Sequence, residues 1–455
     1  MTSLERCAIM AKNRIRAAKS GKERYFTAMT NQNPKELLLT ELLPPYKTRG
    51  GVASEPYDLN YGNLGVSILN TKESELLNYV AELKAAGLTL VAENKIRNCP
   101  FFTFLLSRDG EEYAVYVYYF SAHTNARVIW GKRGFLPSAV TVPASNGTRT
   151  SVIQHARDSA YGRVSFPDSA PGMGYVICLA DGSFILIDGG PRAGKIVPKH
   201  VEDGVWVHDE PRDSRDVDVL YELLASRTPA GQKPVIAAWF FSHAHSDHVD
   251  LACDFLTKYK GQVEVRLGAL NFPDFEKHPT DHEPNDRLQL LANTTKNLLI
   301  EAGADFWVIH TGERIAFPGC EVEILNTPED YFPSHFKWGN HTSSAFRFTF
   351  KEKTFIALGD CEKDICQRMA DNFEDALKAD ILQVSHHGVN GACVSLYKVI
   401  DPDICLWPMD AYRFAVDERT NGLKRGYEFN SWLRNDEIRE RTHYHNSADV
   451  EIFTD

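Results

Sequence analysis

His243, His245, Asp247 and His248 spell H-x-H-x-D-H directly after the apolar stretch 235–242. At ordinary residue frequencies such a pattern arises by chance on the order of 10⁻³ times in one chain. Alternation along an extended loop puts positions 243, 245 and 247 on one side. Asp247 and His248 are sequence neighbours, so their side chains diverge and can serve a second cation at the start of the following helix. Imidazole combined with carboxylate suits a borderline divalent ion, Zn²⁺ first, with Mn²⁺ or Fe as alternatives. The competing reading is a run of surface histidines on a polar loop.

Two later segments have the same setting. Asp360 ends the strand-like run FIALGD, where a carboxylate can bridge two cations; taken alone it would be an ordinary N-cap for a helix over 362–378. His386 and His387 follow the strand-like run ILQVS and precede Gly388. Taken alone, such a pair is a structural or solvated feature. Three strand ends that together offer imidazoles and carboxylates point to a site for two metals.

These residues resemble the metallo-β-lactamase fold hydrolases. The resemblance implies two β-sheets packed between outer helices, an αββα sandwich, with metals at one edge. It also assigns Asp188, in LIDGG, as an aspartate that buttresses the metal loop. The stretch NHTSSAFRF, then ALGD, then VSHHG is similar to the hydrolase domain of the DNA-uptake channel protein ComEC and related phosphoesterases. In that subgroup an asparagine with a nearby serine replaces the usual third-motif histidine, which here implies Asn340 and Ser343. The likeness covers roughly 165–410 and includes no membrane channel. The redox members of the superfamily carry Glu where His245 stands, and the common lactam hydrolases carry Cys where Asp360 stands. His341, one residue from Asn340, is the alternative third-motif donor.

Two closely spaced cations would activate a water toward neutrality and polarise a phosphorus or carbonyl centre. On this reading His243 and His245 hold one metal, Asp247 and His248 the other, with Asp360 as the bridge. His386 is the first choice for the sixth donor, and His387 then supports it or gives a proton to the leaving group; spacing does not decide between the two. Asn340, His341 and Ser343 are candidates for hydrogen bonding to the substrate oxyanion, against the plain reading of a polar loop making turns. The expected activity is that of a phosphodiesterase acting on a small-molecule or nucleic-acid phosphoester. The alternatives are an ester, thioester or lactone hydrolase on the same metals, and a catalytically silent metal-containing binding or sensing protein. The acidic stretch 272–287 would repel a long polyanion if it covers the site.

The elements that must hold these residues are legible around them. The chain has 455 residues and a net charge of −11, which suggests two or three domains and argues against general coating of nucleic-acid phosphates. No stretch is long and apolar enough to suggest a membrane helix. The nine cysteines are scattered with no C-x-x-C pair, so a disulfide framework is not expected, and a cytoplasmic setting is. Residues 1–48 read as a basic extension, with its cations concentrated in 1–24. Residues 49–145 read as a small accessory α+β unit: a helix capped by Thr71, with strands near 88–92, 101–106, 113–120 and 126–130. A Gly/Pro/Ser/Thr-rich boundary at 131–150 follows. From 146 to 455 strands and helices alternate as in a layered α/β domain. Two long polar stretches, 191–216 and 272–287, are candidate lids or binding loops.

Overall fold

The computed structural model describes residues 43–156, 172–192, 194–197, 199–202, 205–388, 391–411, 413–415, 432–434 and 440–455. The basic segment 1–24, and nearly all of the extension to 48, lies outside the described residues.

The first described unit is an antiparallel sheet of β1 (Leu64–Leu69), β2 (Thr89–Ile96), β3 (Cys99–Arg108), β4 (Glu111–Phe120) and β5 (Asn125–Lys132), with one helix, α1 (Glu73–Ala85). The strands run in the order β1-β5-β4-β3-β2, with two short strands at the β1 edge. The helix begins one residue later than a Thr71 cap implies. Thr71 instead donates its hydroxyl to Glu75 in the first turn. Period-two alternation along β4 divides its side chains between two cores. Val115, Val117 and Tyr119 pack with Leu76, Val80 and Leu83 of α1. Ala114, Tyr116, Tyr118 and Phe120 face the other way, into a core shared with the rest of the protein.

The larger unit is built on two sheets. One contains β6 (Ser151–Gln154), β7 (Tyr175–Cys178), β8 (Phe184–Ile187), β9 (Val235–Phe240), β10 (Leu267–Leu270), β11 (Asp305–Val308) and, from the far end of the chain, β19 (Val450–Phe453). Their order is β11-β10-β9-β8-β7-β6-β19. The other follows chain order: β12 (Arg314–Phe317), β13 (Cys320–Asn326), β14 (Ala345–Thr349), β15 (Thr354–Ala357), β16 (Ile381–Gln383), β17 (Ile404–Trp407) and β18 (Thr442–His445). Helices α2 (Asp216–Ser226), α3 (Ser246–Lys258) and α4 (Asn285–Glu301) cover the first sheet, and α5 (Lys363–Phe373) and α6 (Val394–Ile400) cover the second.

Strands buried on both faces read as continuous apolar runs, as FILI and VIAAWF do. Ile185, Ile187, Ala238 and Phe240 meet Phe346, Phe348, Phe355 and Ala357 between the sheets. Phe184, Leu186, Ile236 and Trp239 face the helices on the outside. The result is the expected αββα layering. On the outer face of the second sheet, Cys366, Met369 and Phe373 of α5 join Phe101, Tyr118 and Phe120 of the N-terminal sheet in one core.

Polar contacts reinforce that joint. Tyr118 donates its hydroxyl to Asp330 Oδ1 (2.7 Å), and Arg127 donates to the carbonyls of Asp330 (2.9 Å) and Phe332 (2.7 Å). The N-terminal unit also ties down the 272–287 stretch. Asn60 Nδ2 donates to the Phe272 carbonyl (2.9 Å), and Lys277 and His278 bond to Asp58. Within 191–216, Lys195–Ile196 pairs with Arg212–Asp213, and Lys199–Glu202 pairs with Val205–His208. No helix among the described residues is long and apolar enough to cross a membrane.

Candidate metal centre

Parallel pairing puts strand C-termini side by side: β8 with β9 in one sheet, β15 with β16 in the other. Asp188 follows β8, His243–His248 follow β9, Asp360 follows β15, and His386 and His387 follow β16. Residues from four segments therefore meet at one edge of the sandwich, where open α/β sheets place their ligands. Asp360 is not the helix cap. The N-cap position of α5 belongs to Glu362, which leaves the Asp360 carboxylate free to turn into the cluster.

Six side chains converge there as two groups of donors. His243, His245 and Asp360 form one; Asp247, His248 and His387 form the other; within each group the donor atoms lie within 4.8 Å of one another. The Asp360 carboxylate reaches both. Its Oδ1 is 3.3 Å from His248 Nε2, and its Oδ2 is 3.5 Å from His387 Nε2 and 4.0 Å from His243 Nε2. His387 Nε2 is 3.1 Å from Asp247 Oδ2. Two donors about 2.05 Å from a tetrahedral Zn²⁺ are about 3.3 Å apart, and these edges bracket that value.

The remaining ring nitrogens are occupied elsewhere. His248 Nδ1 meets Asp188 Oδ2 (2.8 Å), His243 Nδ1 meets Ser242 Oγ (3.1 Å), and His387 Nδ1 meets the Pro408 carbonyl (3.3 Å). Asp188 also accepts from the amide and hydroxyl of Ser242 (2.8 and 2.7 Å). This carboxylate thus fixes the loop and one imidazole at once, the usual way a protein orients a metal-binding histidine. Meanwhile Nε2 of His243, His248 and His387 and Oδ1 of Asp360 are buried without a hydrogen-bond partner. Buried polar atoms are seldom left so, and four aimed into one cluster fit a divalent cation.

Titration behaviour follows from the same crowding. Burial holds His243 well below its ordinary value, with the nearby charges of His248 and His245 adding to the effect. Burial also opposes charge on His248 and His387, but Asp360 overcomes it in both. With Asp188 it raises His248 well above the usual range, and with Asp247 it takes His387 up to about 9. Burial would raise Asp360, yet His248, His387 and His386 hold it well below the usual carboxylate range. A cation binding at these nitrogens competes with the protons that the neighbouring carboxylates favour there.

His386 lies beside this cluster rather than in either group. It is about a quarter exposed, with Nε2 3.8 Å from Asp360 Oδ2 and Nδ1 3.7 Å from Glu362 Oε1. Asn340 Nδ2 lies 3.2 Å from its ring, and Asn340 Oδ1 is buried without a partner. Both residues of the His386–His387 pair have left-handed backbones, φ 50° and 55°, so the chain turns sharply and the second imidazole is the one carried inward.

His341 points elsewhere. Its Nδ1 accepts from the Trp338 amide (3.2 Å), and its ring packs on Tyr331. Ser343 is fully buried, with its hydroxyl unpaired and its carbonyl bonded to Asn326.

Glu283 is the site residue that pattern reading missed. Its carboxylate lies 2.9 Å from His245 Nε2 and accepts from the Gly339 amide (3.1 Å). With Nε2 so engaged, His245 has Nδ1 left for the cluster. Burial opposes ionisation of Glu283, but the hydrogen bond and charge of His245 lower its pKa. The signal was an acid in the stretch 272–287 flanking the site, but 38 residues separate it from His245.

No family model and no curated protein matches the chain. Among solved structures it is similar to a CmlA β-hydroxylase variant, at 11% identity and a TM-score of 0.37, covering 67% of this chain and 54% of that one. The chain thus spans about half the length of that protein. It is also similar to the short form of human tRNase Z, at 12% identity and a TM-score of 0.28, covering 56% of this chain and 91% of that one. A third is a Thermotoga maritima protein described as a Zn-dependent hydrolase of the metallo-β-lactamase superfamily, at 8% identity and a TM-score of 0.23, with coverages of 52% and 71%.

Proposed function

We propose that this protein is a phosphoester hydrolase of the metallo-β-lactamase fold, of the ComEC-like subgroup, working with two divalent cations. The observation that carries the reading is the pair of three-donor groups with their unpaired inward nitrogens and the shared Asp360 carboxylate. His243, His245 and Asp360 would hold one cation and Asp247, His248 and His387 the other, with Asp360 facing both. Zn²⁺ is the first choice, since all donors are imidazole nitrogen or carboxylate oxygen. Bound there, such cations lower the pKa of water and polarise a phosphoryl oxygen.

The chain's own groups do the rest. Asp188, Ser242 and Glu283 hold the histidines in their orientations. His386, partly exposed and braced by Asn340 and Glu362, can donate a hydrogen bond to a phosphoryl or leaving-group oxygen. This exchanges the roles first given to His386 and His387. Burial of His243, His248, His387 and Asp360 limits bulk water on the inner side of the cluster. A phosphoester is favoured over a carboxylic ester because the subgroup likeness at Asn340, Ser343 and the VSHHG turn lies in phosphoesterases. The eight described cysteines are free and buried, which supports action in the reducing cytoplasm.

The test is turnover of bis-p-nitrophenyl phosphate by protein loaded with Zn²⁺, Mn²⁺ or Fe²⁺, beside p-nitrophenyl acetate and a simple lactone. Phosphodiester hydrolysis that disappears on chelation and in Asp360→Asn is expected. Hydrolysis of the ester or lactone alone would replace the phosphoester reading, and no turnover with any metal would leave a binding protein.

A further inference from the structure

We propose that Trp338 is a stacking platform that selects phosphoesters carrying a flat ring; the proposal rests on the phosphoester reading above. Of the exposed large apolar side chains among the described residues, two are aromatic, Trp338 and Phe453, each 43% exposed. Phe453 lies under the Arg149 guanidinium, 3.9 Å from its ring centre. The ring partner of Trp338 is His282, with centroids 4.4 Å apart and planes tilted by 39°.

Both members of this pair are anchored next to a metal-binding candidate. His282 precedes Glu283, whose carboxylate meets His245. Trp338 precedes Gly339, whose amide donates to the same carboxylate. Gly339 comes so close that a Cβ there would sit 2.3 Å from His245 Nε2. The Trp338 backbone is fixed in turn by the hydrogen bond its amide donates to His341 Nδ1. The indole therefore stands on a clamped loop, one residue from the atoms that orient His245.

The chemistry of the rim narrows the occupant. An exposed indole on a loop that also braces His245 through Glu283 offers a π-face to any planar ring, whatever its hydrogen-bonding edge. Asp281, Glu283 and Asp286 lie on the same stretch as His282, and an acidic rim there would disfavour a long polyanion. A single phosphoryl group bearing one ring, a nucleoside or an aryl group, fits that charge better than a nucleic-acid strand.

The experiment measures binding of thymidine 5′-phosphate, phenyl phosphate and methyl phosphate to the Zn²⁺-loaded full chain by calorimetry. The ring-bearing esters should bind about tenfold or more tighter than methyl phosphate, as stacking predicts. Trp338→Ala and Trp338→Gln should bring that ratio toward one, and Trp338→Phe should keep most of it. Thermal denaturation confirms that each variant is folded. A gain confined to thymidine phosphate assigns the platform to nucleosides, and an equal gain with phenyl phosphate to any flat ring. No ring preference in the unaltered chain, or one that survives both replacements, overturns the proposal, as does failure of all three esters to bind. Turnover is not needed, so loss of the hydrolase reading would show in the phosphodiester assay while the ring preference stood.

Discussion

His386 and His387 are adjacent, of one type, and at the end of one strand, yet only one imidazole enters a donor group. The choice is made by two successive left-handed residues, a backbone state that costs a non-glycine residue about 1–3 kcal/mol and survives only where the surroundings impose it. His387 is 2% exposed with its Nδ1 on a carbonyl, whereas His386 keeps a quarter of its surface. Removing His387 should therefore cost metal, and removing His386 should cost turnover. We expect His387→Ala to lower bound Zn²⁺ per chain by about half, and His386→Ala to leave it unchanged while slowing phosphodiester hydrolysis about 100-fold or more. Metal analysis after gel filtration, beside the turnover assay, checks both; equal metal loss in the two variants would reverse the assignment. The donors themselves were legible because their types are rare and their spacing follows strand ends. The choice between the two histidines was not, because H-H-G does not state its own φ angles. Glu283 was hidden for another reason: only tertiary folding brings it to His245.

The strands and helices that carry these residues were readable where a period was strong. The apolar stretch 235–242 stands as β9, and the strand-like runs before Asp360 and His386 stand as β15 and β16. β6 and β19 were not read, being four residues each and paired across the ends of the larger unit. Sequence gives no local sign of such long-range pairing. One position shows how tightly the elements define the site. Gly388 closes the turn after β16 with φ 74°, and a Cβ there would lie 2.3 Å from the ring of Trp407, itself fully buried in β17. Neither the left-handed backbone nor the indole can give without moving the strand that delivers His387. Gly388→Ala should lower stability by about 2–4 kcal/mol and reduce metal occupancy together. Urea unfolding with metal analysis measures both. A variant with unchanged unfolding midpoint and full metal would show that the turn is softer than its geometry implies.

Across the whole molecule, the N-terminal sheet shares a core with α5 and bonds to the loop that bears Glu283. Burial of a sheet's second face against distant residues leaves no mark in local sequence, so this shared core could not be read from composition. The joint contains a buried ionisable cluster. Tyr116 stacks on His310 at 3.8 Å, and His310 Nδ1 lies 2.9 Å from Glu329. Glu313 accepts from the Trp307 indole (3.0 Å) and the His310 amide (2.8 Å). Burial pushes the Glu313 carboxyl up to about 7, against the pull of His310. Burial lowers His310, but the charge and hydrogen bond of Glu329 prevail and raise it. An unfolded glutamate has a pKa of about 4.3. Between that value and about 7 the folded chain retains a proton that the unfolded chain has released, so this group's contribution is full at lower pH and is lost as pH rises through the window. His310, raised above its unfolded value, adds a loss of the same sign on the alkaline side. A glutamine in place of Glu313 would keep an acceptor for both donors without the ionisation. Glu313→Gln should therefore match the unaltered chain near pH 4.5 and exceed it at pH 8 by up to about 3 kcal/mol. Urea unfolding of both proteins across that range gives the difference directly. A gap that stays flat with pH would mean that Glu313 ionises as freely in the folded joint as in the open chain.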